Sequence, residues 1–203
     1  YPTDLTGFPG HIRVPGGGPL RILFLGTITL RKGIPYLLEA AARLGERTVK
    51  VRAIGRIGVS ESKLQRYRHV ASFPGPVARS SVRRELEWAD LLCLPSVGEG
   101  QALVVNEALA SGLPVICTPN CGARVRDGID GHIVPPQDQT ALEEAILRYA
   151  RAPELVRWQS SQALRGRGRF GFRAYERRLL ASITACFDNR VLRAPGSAMY
   201  GQG

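Results

Sequence analysis

E-G-Q-A-L-V-V-N-E-A-L-A-S-G-L-P, residues 99–114, decides how this chain is read. It opens on an acid in a glycine-containing turn. From Leu103 to Ala110 only Asn106 and Glu107 are polar, which predicts a helix buried on most sides. The helix stops at Ser111-Gly112, and Pro114 opens a short apolar strand, Val115-Ile116-Cys117. A carboxylate inside an apolar helix is costly unless something pairs with it. Glu107 therefore either occupies a single solvated stripe or, together with Glu99, binds polar groups of a ligand lying across the helix N-terminus.

Working outward, further short apolar runs end in glycine, proline or a polar turn. They cover residues 21–25, 49–54, 70–73, 90–94 and 132–134. Between them lie segments with helical spacing. Residues 34–44 carry Pro35 in the first turn, a short helix falls within 56–68, and 80–88 starts at Ser80 or Ser81 as cap. Residues 139–150 follow Asp138, with Ala141, Leu142, Ala145, Ile146 and Tyr149 on one face. Two more helices are expected over 154–163 and 173–187. The last carries Tyr175, Leu179, Leu180, Ile183 and Phe187 on one face. Strands alternating with helices predict an α/β fold: Rossmann-like, three-layer α/β/α, around a parallel sheet of about six strands. In such folds ligands lie outside the carboxyl ends of the strands. The loops to inspect are 26–33, 55–58, 74–80, 95–102 and 118–123.

Those loops carry glycines, the adjacent cations Arg31 and Lys32, and the two glutamates. Glycine lets a ligand approach the backbone, a cation suits a phosphate, and the helix N-terminus behind Gly100-Gln101-Ala102 attracts an anion. If most of the interval is helical, Glu99 and Glu107 stand roughly 12 Å apart, at about 1.5 Å per residue. That span is comparable to a ligand with a diphosphate in its middle and a sugar ring at each end. An ionised carboxylate accepts two donors at once, which suits sugar hydroxyls. The residues thus point to a nucleotide-sugar site, with phosphates at Lys32 and the helix N-terminus and hydroxyls at the glutamates. No D-x-D pair occurs, so no metal bridging a diphosphate and no other cofactor is expected.

Three segments carry a family resemblance: F-L-G-T-I-T-L-R-K-G-I-P-Y-L-L-E-A at 24–40, W-A-D-L-L-C-L-P-S-V-G-E-G-Q-A-L-V-V-N-E-A-L-A-S-G-L-P-V-I at 88–116, and R-D-G-I-D-G-H-I-V-P-P at 126–136. Together they resemble the C-terminal half of the GT4-type retaining glycosyltransferases, over about residues 20–187. The E-x7-E element from Glu99 to Glu107 is the most specific part, because of the residues around it. The resemblance implies one half of a GT-B fold, in which two Rossmann-like domains enclose the active site and the C-terminal one binds the nucleotide-sugar donor. It implies Glu107 at the ribose and Glu99, Gly100 and Gln101 at the transferred sugar. The diphosphate would meet Gly26, Thr27, Arg31, Lys32, Gln101, Ala102 and Leu103. The nucleobase would meet Gly55, Arg56, Pro76 and Val77. Lys32 and Glu99 support the chemistry, and no catalytic group is expected in this half. The sequence departs from the family at Thr27, where an Arg is usual, and Arg31 is expected to replace that cation in part. It departs again at Gly122-Ala123-Arg124, where an acid often follows the glycine.

The remaining sequence bounds this reading. At 203 residues, 44% of them hydrophobic, the chain can bury one full core. A donor-binding domain is expected over 20–187, after a Pro- and Gly-rich linker at 1–19 and before a loose tail at 188–203. The longest apolar runs are too short for a transmembrane helix, and the first residues do not have the pattern of a signal peptide. Four irregularly spaced cysteines read as reduced cytosolic thiols rather than zinc ligands. His11, His69 and His132 read as structural.

The net charge of +11 is concentrated near the C-terminus, where residues 148–193 hold eleven Arg against three acids. A cytoplasmic protein is expected, with a peripheral contact at an anionic membrane open to it. Nucleic acid is not an expected partner, because no recognition motif accompanies the charge. The expected partners are the donor and an N-terminal Rossmann-like acceptor domain, which this chain starts beyond. Alone, the chain is expected to bind donor and transfer little hexose. Two alternatives stay open: a GT-B nucleotide-sugar epimerase domain, and a non-catalytic module that binds anions or nucleic acid through the Arg-rich face.

Overall fold

The computed structural model describes residues 2–4, 6–8, 10–122 and 124–192, with side chains as far as residue 186. Six strands, β1 (Leu20–Leu25), β2 (Val49–Ile54), β3 (Ala71–Gly75), β4 (Leu91–Leu94), β5 (Val115–Cys117) and β6 (Gly131–Ile133), form one sheet. Their order is β3-β2-β1-β4-β5-β6 and every pairing is parallel. The helices are α1 (Ile34–Leu44), α2 (Glu61–Gln65), α3 (Val82–Trp88), α4 (Leu103–Ala110), α5 (Gln139–Arg151), α6 (Pro153–Arg165) and α7 (Phe172–Leu192). The chain runs outward from β1 to β3 and then restarts on the other side of β1 at β4. The carboxyl ends of β1 and β4 therefore flank a switch point, where an open parallel sheet leaves a crevice.

The sheet forms where the expected apolar runs lie, and for the expected reason. All residues of β4 and β5 are buried, as they must be when helices cover both faces. The α5 helix starts at Asp138, whose side chain accepts from the Ala141 amide at 2.9 Å. It buries Leu142, Ile146 and Tyr149, on the face read from its spacing. The α1 helix begins after Gly33, which sits at φ 74°. A Cβ there would stand 1.9 Å from the Pro95 carbonyl oxygen, so glycine is what lets the loop after β1 pack on the loop after β4.

Several boundaries differ from the sequence reading. Asp90 lies outside β4, because its carboxylate takes the Arg21 backbone amide at 3.0 Å and the Arg21 guanidinium at 2.6 and 3.0 Å. The β3 strand runs on to Gly75, whose carbonyl accepts from Gly55 N at 3.0 Å past a register shift. A 3-10 turn, Arg79–Ser81, precedes α3, and neither Ser80 nor Ser81 caps it through its side chain. The α4 helix starts at Leu103, as read from the sequence. The Ala102 amide is drawn across to the Cys121 carbonyl at 2.9 Å, which keeps residues 99–102 outside the helix. Only the second half of the Glu99–Glu107 interval therefore has helical rise.

The segment read as linker packs closely on the domain. Phe8 joins the core, and Arg13 is buried. Arg13 donates from its backbone to Ser160 Oγ at 2.8 Å and from its guanidinium to the carbonyls of Glu87 and Ser111. At the other end α7 continues through Leu192, into the span read as tail; residues 193–203 lie outside the described residues. Tyr175 is half-buried, whereas Leu179, Leu180 and Ile183 are exposed. The fifth member of that face, Phe187, lies outside the described side chains. Among the described residues no helix is long and apolar enough to cross a membrane, and no cluster of His, Cys, Asp or Glu could hold a metal.

Candidate functional site

A cleft of about 550 Å³ opens at the switch point. Its walls come from the ends of β1 and β2, the turn after β3 and the first turns of α4. Gly26, Thr27, Lys32, Gly55, Arg56, Pro76, Val77, Glu99, Gln101, Ala102, Leu103 and Glu107 all line it. Residues from four separated loops, singled out in the sequence, thus share one concave surface. Arg31 and Gly100 are not among the residues that line it. Arg31 instead turns outward, donating to the Gly98 carbonyl at 3.0 Å, with Glu99 Oε1 at 3.9 Å. The site of the second family departure includes Ala123, outside the described residues.

The loops are held by backbone contacts that leave the side chains for other work. The Arg31 carbonyl accepts from Val97 N at 2.8 Å and Gly98 N at 3.3 Å, which ties the loop after β1 to the loop after β4. Thr118 Oγ1 donates to the Ser96 carbonyl at 2.6 Å, and Asn120 Nδ2 to that of Val97 at 2.7 Å, which ties in the loop after β5. Gly55 brings the β2 end against β1: a Cβ at that position would lie 2.0 Å from the Gly26 carbonyl oxygen, at φ +143°.

Within this frame the charges pair across the cleft. Lys32 Nζ lies 3.1 Å from Glu99 Oε2, with both side chains largely buried. The Lys32 chain passes over Gly26, where a Cβ would meet its Nζ at 3.0 Å. The Ser96 hydroxyl also points at Glu99 Oε2, at 3.5 Å.

Glu107 is 7% exposed, so it does not occupy a solvated stripe. Its two oxygens accept from Arg79 at 2.5 and 2.9 Å. Arg79 is the candidate site residue that sequence reasoning missed. It lies in the 3-10 turn after β3, 28 positions before Glu107, and it is two-thirds exposed at the cleft rim. The available signal was that a carboxylate in an apolar helix needs a cation, and 74–80 was a flagged loop with one cation. The bond to Glu107 holds the Arg79 guanidinium above its ordinary range.

Two cations and two carboxylates facing an open groove, beside a helix start with no side-chain cap, can receive a ligand that carries both anionic and hydroxyl groups. The histidines stand elsewhere. His11 Nε2 is bonded to Arg13, His132 packs edge-on to Tyr149, and His69 is exposed at the opposite end of the sheet. Cys93, Cys117 and Cys121 are free and buried beneath the loops.

Comparison with known proteins agrees with this geometry. The family model described as "Glycosyl transferases group 1" matches residues 19–151. The chain is 38% identical over 128 residues to the putative teichuronic acid biosynthesis glycosyltransferase TuaC of Bacillus subtilis, covering 63% of this chain and 32% of that protein. It therefore spans about a third of the length of that curated relative. Among solved structures, sucrose-phosphate synthase from Thermosynechococcus elongatus superposes with a TM-score of 0.76 at 25% identity, over 93% of this chain and 52% of that one. Anabaena Alr3699/HepE in complex with UDP-glucose superposes with a TM-score of 0.70 at 18% identity, over 82% of this chain and 49% of that one.

Proposed function

Because this chain belongs to the glycosyl transferases group 1 family, we propose that it is the donor-binding, Rossmann-like half of a GT-B hexosyltransferase. Its cleft would take a nucleotide-diphosphate sugar. The observation that carries this reading is the pair of carboxylates, buried Glu107 and largely buried Glu99, held by Arg79 and Lys32 along one groove at the switch point. A structural neighbour whose complex contains UDP-glucose supports the same ligand class.

In this reading the ribose hydroxyls meet Glu107, which keeps two of its roughly four acceptor positions while Arg79 uses the others. The transferred sugar lies at Glu99. The diphosphate lies between them, against Lys32 and the backbone from Gln101 to Leu103. Lys32 and the helix start stabilise charge that builds on the leaving diphosphate, an electrostatic role that needs no metal. The base rests on Gly55, Arg56, Pro76 and Val77. Transfer proceeds with retention at the sugar carbon. An acceptor domain facing this cleft supplies water exclusion and orientation, so the 203-residue chain alone binds donor and turns over little.

A thermal-shift screen of UDP-, GDP- and ADP-sugars against this chain tests the proposal. One nucleotide series should raise the melting temperature saturably. The screen should be repeated with the chain joined to an acceptor domain, and the reading fails if no nucleotide sugar binds in either form.

A further inference from the structure

A second cavity lies on the far side of Gln101 from the donor cleft. It holds about 210 Å³ between the start of α4, the turn Arg167–Phe170 and α7. Gln101 lines both cavities, so the two adjoin at that residue. This space is below the usual size of a drug-sized ligand pocket and suits a single sugar ring.

Its deepest polar group is Asn106. That residue is 3% exposed, and its Oδ1 has no hydrogen-bond partner among the described residues. A buried amide oxygen left without a partner is costly. A hydroxyl brought into the cavity would recover that cost. Asn106 is the neighbour of Glu107 on α4, yet it faces the other cavity, where nothing in the donor reading uses it.

The cavity also carries positive charge that no carboxylate among the described residues answers. Asp130 is already held by Arg126 at 2.6 Å and Arg169 at 2.7 Å. Arg124 and Arg178 line the cavity, and neither has a carboxylate within ion-pair distance among the described residues. Arg178 donates one guanidinium nitrogen to the Arg169 carbonyl at 2.9 Å. Its pKa is pulled below the ordinary arginine value by burial and by the neighbouring Arg124 and Arg177. Phe170, which is buried, and Tyr175, half-buried, supply aromatic wall against which the C–H face of a sugar ring can lie.

We propose that this cavity is a subsite for an anionic sugar, a phosphorylated or carboxylated pyranose, belonging to the acceptor of the transfer reaction. The oxyanion pairs with Arg124 and Arg178, a ring hydroxyl donates to Asn106, and Gln101 separates the acceptor ring from the donor sugar. This inference rests on the donor-binding reading of the neighbouring cleft.

The test is titration of the 203-residue chain, by calorimetry and ligand-observed NMR, with glucose 6-phosphate, glucuronate, glucose and inorganic phosphate. The expected result is saturable binding of at least one of the two anionic sugars, roughly tenfold tighter than glucose or inorganic phosphate. Whichever is preferred identifies the oxyanion as phosphate or carboxylate. Arg124→Gln, at an exposed position, and Arg178→Gln should each weaken it roughly tenfold. Asn106→Leu should weaken it without lowering the melting temperature. Refusal of both anionic sugars overturns the inference, as does equal binding of inorganic phosphate or unchanged affinity in the arginine variants. Nucleotide sugars titrated into the same samples separate the two readings. Donor bound while both anionic sugars are refused sinks the subsite alone, and donor refused throughout sinks the reading beneath it.

Discussion

Arg79 and Glu107 meet head-on at the rim of the cleft, two guanidinium nitrogens on two carboxylate oxygens at 2.9 and 2.5 Å. The arginine is largely solvated and the glutamate is not. Water screens the exposed arginine, so the attraction itself is modest, but loss of the arginine would leave a buried carboxylate unpaired. What the pair does is fix the carboxylate plane in a helix that would otherwise leave Glu107 alone among apolar neighbours.

Arg79→Met should accordingly lower the melting temperature, because it leaves a buried carboxylate without its partner, and weaken nucleotide binding by roughly tenfold. Arg79→Lys should restore only part of that loss, since a point charge cannot reproduce the two-pronged contact. Calorimetry with the preferred nucleotide checks both. Tighter binding in Arg79→Met would mean that the arginine competes with the ligand instead of orienting its partner.

The two cations of the first loop should behave differently. Lys32 sits inside the cleft against Glu99, and Arg31 turns outward onto Gly98. Lys32→Ala should lose roughly tenfold or more in nucleotide-diphosphate affinity, as expected for a lost charge-assisted contact. Arg31→Ala should stay within about twofold, less than the worth of one ordinary hydrogen bond. Equal losses would restore Arg31 as a stand-in for the arginine that Thr27 replaces.

Gly55→Ala should be severe although it removes no contact. The new methyl group would have to occupy space 2.0 Å from the Gly26 carbonyl, at a backbone angle that alanine resists. Strain and overpacking together should cost roughly 3 kcal/mol. Chemical denaturation measures this, and an unchanged midpoint would show that the β1 and β2 ends separate freely.

Acid should loosen the N-terminal segment. His11 Nε2 accepts from Arg13 Nη1 at 2.7 Å, so the contact needs a neutral ring. Burial, and then repulsion from Arg13, hold the His11 pKa below its ordinary 6.5. A base whose folded pKa is depressed takes up its proton more readily when the segment is open. The contact is thus at full strength above the unfolded value near 6.5, and it weakens as pH falls below that value. Hydrogen exchange at the Arg13 amide, corrected for intrinsic rate, should speed up from pH 7.5 to pH 5.5 in the native chain. In His11→Gln it should not.

The sequence was most informative where one element decides its own fate. Apolar runs closed by Gly26, Gly55 and Pro95 identified strands and their carboxyl ends, and those ends located the cleft. Glu107 stood out because a carboxylate in an apolar helix is costly wherever the rest of the chain goes. Arg79 was hidden because its importance depends on the turn after β3 reaching α4, which spacing along the chain does not encode. The start of α4 at Leu103 was legible, but the span from Glu99 to Glu107 was not, because Ala102 bonds to Cys121, 19 residues later, and that bond keeps residues 99–102 out of the helix. Helical spacing gave α7 its periodicity, but Leu179, Leu180 and Ile183 remain exposed, since a stripe of apolar residues does not name what covers it.

Everything proposed for the switch-point cleft depends on Glu107 anchoring a nucleotide-sugar donor there. Calorimetric titration of the native chain and Glu107→Ala with the nucleotide sugar selected by the screen tests it most directly. Binding to the native chain should be saturable and weakened roughly tenfold or more in the variant, with the loss carried by the nucleotide and retained when the sugar is removed. Binding of equal strength to both proteins would contradict it.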